Sequence, residues 1–280
     1  MDFGSILILV SWGVLVGLVF SSIGAAGGIL ASFGLISIIG ITDANSVKPM
    51  AQMLALATAT VFIPGYFKRS AWVLPLGLML GAGGIVGAIA GSTISSRYLS
   101  DMSTFKPLFG VLALFIAAQI TWKLYSEKKQ GKTDQAAAQS GVQNILVTRD
   151  AMSFEYNGHE YIFNPWLPWV AGFLIAFVAS IFGVGGGFLL VPFMASLLGM
   201  PMYIIPATAA LAIFASGTMS VANYLRMGSE IDVPVLFFLI IGGVIGALIG
   251  PKLNQILKES WLQAALASIV GLISLKYLFA

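Results

Sequence analysis

The chain has 280 residues, of which 58% are hydrophobic and only 9% charged, with a mean hydropathy of +0.95. A soluble domain carries about 25% charged residues, so this composition excludes a soluble fold and implies a polytopic membrane protein. The absence of cysteine excludes disulfides, thiol nucleophiles and Cys-ligated metals, and the net charge of +3 reports basic loops rather than a nucleic-acid partner.

In chain order, apolar segments run over 5–42, 50–66, 73–95, 105–125, 166–200, 203–225, 233–250 and 261–279, measured against the roughly 20 residues needed to span a bilayer. The N-terminus, Met1 to Ser5, lacks the basic region of a secretory signal. The first segment is therefore expected to be retained. It contains Gly24-Ala25-Ala26-Gly27-Gly28 well inside its apolar run.

The next three segments carry few polar residues. Lys48 stands at the entrance of the second, with Gln52, Thr58 and Thr60 inside it. A lysine there is expected to snorkel to the interface, with an electrostatic lure at the mouth of a pathway as the alternative. Arg226, late in the chain, carries the same two readings. An amide in hydrocarbon needs a partner, which singles out Gln52. Gly83-Gly84-x-x-Gly87 has the spacing of a helix-packing face.

Between the fourth and fifth segments lies the one long polar stretch, 126–164. Glu127 to Ser140 reads as a flexible linker. Residues 153–163 alternate around Asn157-Gly158, which predicts a β-hairpin. His159, the single histidine, lacks a second ligand and reads as structural. Nine of the fourteen Lys and Arg residues fall on the side of this loop, among them Lys68, Arg69, Lys123, Lys128, Lys129 and Lys132. The loop is accordingly expected to be cytoplasmic.

The fifth segment carries Phe182-Gly183-Val184-Gly185-Gly186-Gly187-Phe188 at its centre. Each glycine in a helix interior costs about 0.8–1 kcal/mol relative to alanine, so the helix is expected to break there. Broken helices at membrane depth line cavities, and a fresh helix N-terminus offers N–H groups to an anion. The sixth segment adds Ser216, Thr218, Ser220 and Asn223. Serine and threonine in membrane helices also bond their own preceding carbonyls, a structural reading that stands beside the functional one.

A shift of 159 residues superposes the two halves. Nine of the fourteen glycines between Gly13 and Gly91 then meet another glycine, with Gly13 on Gly172, Gly24 on Gly183, Gly28 on Gly187 and Gly83 on Gly242. The chain is a tandem duplication: a first membrane repeat over 1–125, a linker and hairpin over 126–164, and a second repeat over 165–280. The expected fold is an all-α polytopic membrane protein with four helices per repeat, or five if each broken segment counts as two. Eight spans make the repeats parallel and ten make them inverted.

The Gly183-to-Pro192 motif, its weaker copy at Gly24–Gly28, the Ser216-Gly217-Thr218 run and the hairpin ending at Asn164-Pro165 resemble the TauE/SafE sulfite and sulfonate exporter family. That resemblance covers essentially the whole chain. It implies a bacterial inner-membrane carrier exporting a small sulfur-containing anion such as a sulfonate, sulfite or a related organosulfur acid. The first repeat departs from the family pattern at Ala25-Ala26 and at Val47–Gln52, so the two half-sites are chemically unequal.

The expected substrate-binding set is Gly27, Gly28, Gln52, Thr58, Gly185, Gly186, Gly187, Ser216 and Thr218, with Lys48 and Arg226 as pathway electrostatics. The expected partners are the anion and the lipid bilayer, with a homo-oligomer left open, and no cofactor, metal or enzymatic role is expected. A passive small-anion channel is the alternative, and a membrane scaffold or sensor acting through the loop is a weaker one. With no carboxylate or histidine inside the predicted spans, no obligatory proton exchange through a side chain is expected.

Overall fold

The fold is described from a computed structural model, which describes residues 2–23, 27–67, 72–130, 142–148, 151–201, 204–256 and 259–279. The first repeat contributes α1 (Phe3–Ile23), α2 (Gly27–Phe33), α3 (Ala44–Phe67), α4 (Leu74–Tyr98) and α5 (Met102–Gln130). Three strands follow, β1 (Gln143–Val147), β2 (Met152–Tyr156) and β3 (His159–Phe163). The second repeat contributes α6 (Trp166–Phe182), α7 (Gly187–Pro192), α8 (Ile205–Arg226), α9 (Val233–Ile256) and α10 (Glu259–Phe279). Each broken segment therefore makes two helices, which is the five-per-repeat alternative. Among the described residues, five helices (α1, α4, α5, α8 and α9) contain stretches long and apolar enough to cross a membrane, and the chain is a multi-pass, all-α membrane protein.

The duplication is reproduced in backbone detail. After α2 the chain winds a π-helical turn, Gly34–Ile38, and after α7 another, Phe193–Leu197. Both end on a left-handed glycine, Gly40 at φ +85° and Gly199 at φ +63°. In both, the following N–H reaches back six residues, Ile41 to Leu35 O at 2.9 Å and Met200 to Met194 O at 3.0 Å. Glycine ends these helices because the left-handed region costs it nothing.

α2 runs back along α1. A Cβ on Gly27 would collide with Phe20, while the Trp12 indole donates to Leu30 O at 3.1 Å and blocks any side chain at Gly34. With its π turn, α2 covers Gly27–Ile38. At about 1.5 Å per residue it is roughly 18 Å long, which falls short of the roughly 30 Å hydrocarbon core.

The repeats are interlocked by their glycine stripes. The first helix of each packs against the fourth of the other. A Cβ at Gly83, Gly87 or Gly91 of α4 would lie 2.1–2.3 Å from the carbonyl oxygens of Trp169, Phe173 and Phe177 on α6. In the same way, Gly242 and Gly246 of α9 press on the Val10 and Val14 carbonyls of α1, at 2.2 and 2.1 Å. Lipid tails are as apolar as side chains, so association of membrane helices depends on such close backbone approach. The helix-packing reading of these glycines holds.

Between the repeats, Asn157 (φ +51°) and Gly158 (φ +76°) turn β2 into β3, with Tyr156 opposite His159. The hairpin is as the sequence predicts, and His159 is exposed. A third strand, β1, beyond the expected hairpin, pairs antiparallel with β2. Met152, Phe154 and Tyr156 alternate inward and join one buried cluster with Val73, Leu198, Met200 and Ile204. The sheet thus packs onto the α7–α8 connection and the start of α4. Glu127 to Gln130 continue α5 rather than beginning a linker. The rest of the expected linker, with Lys132 and Ser140, lies outside the described residues, as do Lys68, Arg69 and Gly24 to Ala26.

Candidate functional site

The second break takes its shape from Gly183 and Gly185, left-handed at φ +71° and +73°, and Gly186, the residue before α7. No described residue accepts a hydrogen bond from the N–H groups of Gly185, Gly186 or Gly187. Space differs along the break. A Cβ on Gly183 would lie 2.5 Å from Lys48 Cα, whereas one on Gly185 meets only Ala55 at 3.9 Å. One on Gly186 meets Leu190 and Ile175 at ordinary distances, 3.5 and 3.9 Å.

The two breaks touch. A Cβ on Gly28, at the start of α2, would lie 1.9 Å from Val184 O and 2.7 Å from Val184 Cα. Gly27 and Gly28 therefore use their bare Cα faces for packing on Phe20 and Val184. Gly186 also shares a crevice of about 180 Å³ with Ser216, Gly84, Gly172, Ala176 and Ala212, too narrow to admit a water molecule.

Of the polar residues expected at the site, Gln52 joins the break most directly. It is buried, donates from Nε2 to Ala179 O at 3.4 Å near the end of α6, and leaves Oε1 without a partner. A buried amide oxygen left unpaired costs about 1–3 kcal/mol, so Gln52 is held ready for a donor. Thr58 is buried, but its hydroxyl bonds Leu54 O and Ala55 O at 3.0 and 2.9 Å, and its methyl group packs on Gly243. Ser216 likewise bonds Ala212 O at 2.6 Å. Thr218 stands apart, on the exposed side of α8. Asn223 donates to Ser92 Oγ and Thr93 Oγ1 at 2.8 and 2.9 Å, tying α8 to α4.

Lys48 overturns the snorkelling expectation. It is completely buried. Its Nζ lies within hydrogen-bond distance of Asn45 Oδ1 at 3.2 Å, Ser95 O at 3.4 Å and Leu99 O at 2.6 Å, the last two at the C-terminal end of α4. The Phe105 and Tyr224 rings face it at 4.9 and 6.0 Å. Its hydropathic neighbourhood gave no warning, since the aromatic cage comes from two distant helices. Arg226 is exposed in the last turn of α8 and matches the interfacial reading.

Acidic residues at segment edges work as caps. Asp43 accepts from Asn45 N–H at 3.0 Å and from Ser46 at 2.7 Å, and Asp232 accepts from Val235 N–H at 3.1 Å. Asp101 accepts from the Ser103 hydroxyl and N–H, which holds its carboxyl below the usual range. Among the described residues no group of three metal-ligating side chains occurs.

Comparison with known proteins agrees with this architecture. The family model described as "Sulfite exporter TauE/SafE" matches residues 9–277. A "Probable membrane transporter protein YunE" of Bacillus subtilis (strain 168) is 23% identical over 98% of both chains. A "Probable membrane transporter protein" of Xylella fastidiosa (strain 9a5c) is 25% identical over 90% of this chain and 86% of its own length. No solved structure matches the chain. The duplicated membrane fold, the paired glycine breaks and a family match along almost the full length lead to one conclusion: the chain belongs to the sulfite exporter TauE/SafE family of membrane transporters.

Proposed function

We propose that the protein is a carrier that exports a small sulfur-containing anion, a sulfonate, sulfite or related organosulfur acid, across the bacterial inner membrane. The anion binds where the two glycine breaks meet. The observation that carries this reading is the contact of Gly28 with Val184, which sets one repeat's break against the other's. Beside it, Gly185 to Gly187 present N–H groups that no described residue engages, and Gln52 Nε2, which gives one N–H to Ala179 O, carries a second. An oxyanion needs donors at close range, and glycine lets it approach the main chain.

The test is thermal stabilisation of the purified protein by methanesulfonate, sulfite and thiosulfate, with acetate as the control. An anion at 100 times its dissociation constant stabilises by about 2.7 kcal/mol if it binds only the folded protein. No shift with any sulfur anion would overturn the reading. Counterflow of labelled substrate in proteoliposomes separates the carrier from the channel, since only a carrier is accelerated from the opposite side.

A further inference from the structure

We propose that Lys48 is the proton-linked counter-charge of the anion site, so that a sulfonate bound at the α6–α7 break brings with it one proton taken up by the Lys48 amine. This rests on the anion site proposed above. Carboxylates and histidine are absent from the predicted spans, but a buried lysine is a protonatable group as well.

Three observations carry the inference. First, Lys48 is fully buried, its Nζ set among neutral acceptors, Asn45 Oδ1, Ser95 O and Leu99 O, and two aromatic faces. Just before its own helix, Asp43 is the carboxylate whose charge acts on the amine, but it is exposed to screening water and already caps the first turn through both oxygens. On the packed elements, α4 offers exposed Arg97, and the start of α5 offers Asp101, bonded to Ser103, and half-buried Lys106. From α8 come the buried Tyr224, which donates to Ser180 O at 2.8 Å, and exposed Arg226. α6 has no ionisable side chain. A buried charge without a buried counter-ion is costly, and an anion brought close to it removes part of that cost.

Second, the duplication supplies an internal control. The position equivalent to Lys48 is Ala207, also fully buried, and Asn45, Phe105 and Tyr224 correspond to Ile204, Ala264 and Gly65. The same architecture is thus built in the other repeat without the cation or its cage. Third, the Lys48 main chain lies against the break. A Cβ on Gly183 would sit 2.5 Å from Lys48 Cα and 2.8 Å from its carbonyl oxygen, and Gly183 is two residues from Gly185.

Anion and proton then bind with positive coupling, each raising the affinity for the other. The proton passes from solvent to the amine nitrogen, and no other bond is made or broken. A strongly acidic sulfonate stays ionised, so any proton taken up belongs to the protein.

The experiment is calorimetric titration of the full-length detergent-solubilised protein with methanesulfonate, in two buffers of different ionisation enthalpy, at about pH 7 and about pH 9. The wild type should show a buffer-dependent enthalpy corresponding to uptake of up to one proton per anion at one or both pH values. Lys48→Met and Lys48→Ala should bind about tenfold more weakly, and without buffer dependence. Lys48→Arg should bind without proton uptake, because a guanidinium is always charged. Buffer-independent binding by the wild type, or undiminished uptake in any folded Lys48 variant, would overturn the inference while leaving the anion site standing. A lysine that merely caps α4 would lower the melting temperature on replacement without altering proton uptake. No binding of methanesulfonate by the wild type at either pH, in a protein that does bind sulfite or thiosulfate, would also overturn it. Failure with all three anions would remove the anion site as well.

Discussion

Gly183 and Gly186 are three residues apart and face opposite constraints. Gly183 is left-handed and pressed against the Lys48 backbone, whereas Gly186 has an ordinary right-handed backbone and only side-chain tips near its missing Cβ. Replacing Gly183 with Val should therefore reduce folded yield. Gly186→Val should keep the yield yet abolish methanesulfonate-induced stabilisation, because its bulk stands between an anion and the main chain. Equal loss of folded protein in both would show that the break is only a packing device. Gln52 allows a cleaner comparison, because its equivalent in the second repeat is Leu211. The fold already accepts leucine at that position. Gln52→Leu should weaken anion binding by about 0.5–1.5 kcal/mol, the usual net value of one hydrogen bond, with little change in melting. Thr218→Val, on the exposed side of α8, should leave affinity unchanged.

Among the elements, the α4–α6 and α1–α9 contacts hold the two repeats together through bare glycine faces. Side chains added there meet backbone carbonyls, which cannot rotate away. Gly87→Val and Gly246→Val should each destabilise by at least the roughly 1–3 kcal/mol typical of overpacking, read as a lower melting temperature in detergent. The two should be alike, since both close on a carbonyl oxygen at 2.1 Å. A mild effect at one and a severe effect at the other would mean that the repeats are not equivalent in their packing. The sheet is a separate device. Its inward residues cover the α7–α8 connection, and its turn depends on Gly158 at φ +76°. Gly158→Val should raise hydrogen exchange across Met152–Phe163 while sparing the membrane helices.

For the molecule as a whole, orientation follows from charge. A cysteine placed at Ser140 should resist impermeant thiol reagents in intact cells, because nine of fourteen basic residues lie on the side of that loop. Rapid labelling there would reverse the topology and with it the direction of the proposed export. The sequence by itself determined the membrane class, the duplication, the helix breaks and the Asn157-Gly158 turn, since composition, a fixed shift and local backbone preference are all properties of neighbouring residues. β1 escaped because five exposed residues with a bulge carry no alternation. Only the tertiary structure decided which polar residues reach the break. Ser216 and Thr218 look alike in sequence, and the rotation of α8 puts one in the crevice beside Gly186 and the other outside. Lys48 is the sharpest case: a lysine at a segment edge is expected in water, and it is buried here because α4, α5 and α8 converge over it. That convergence joins residues as far apart in the chain as Lys48 and Tyr224, and no local pattern records it.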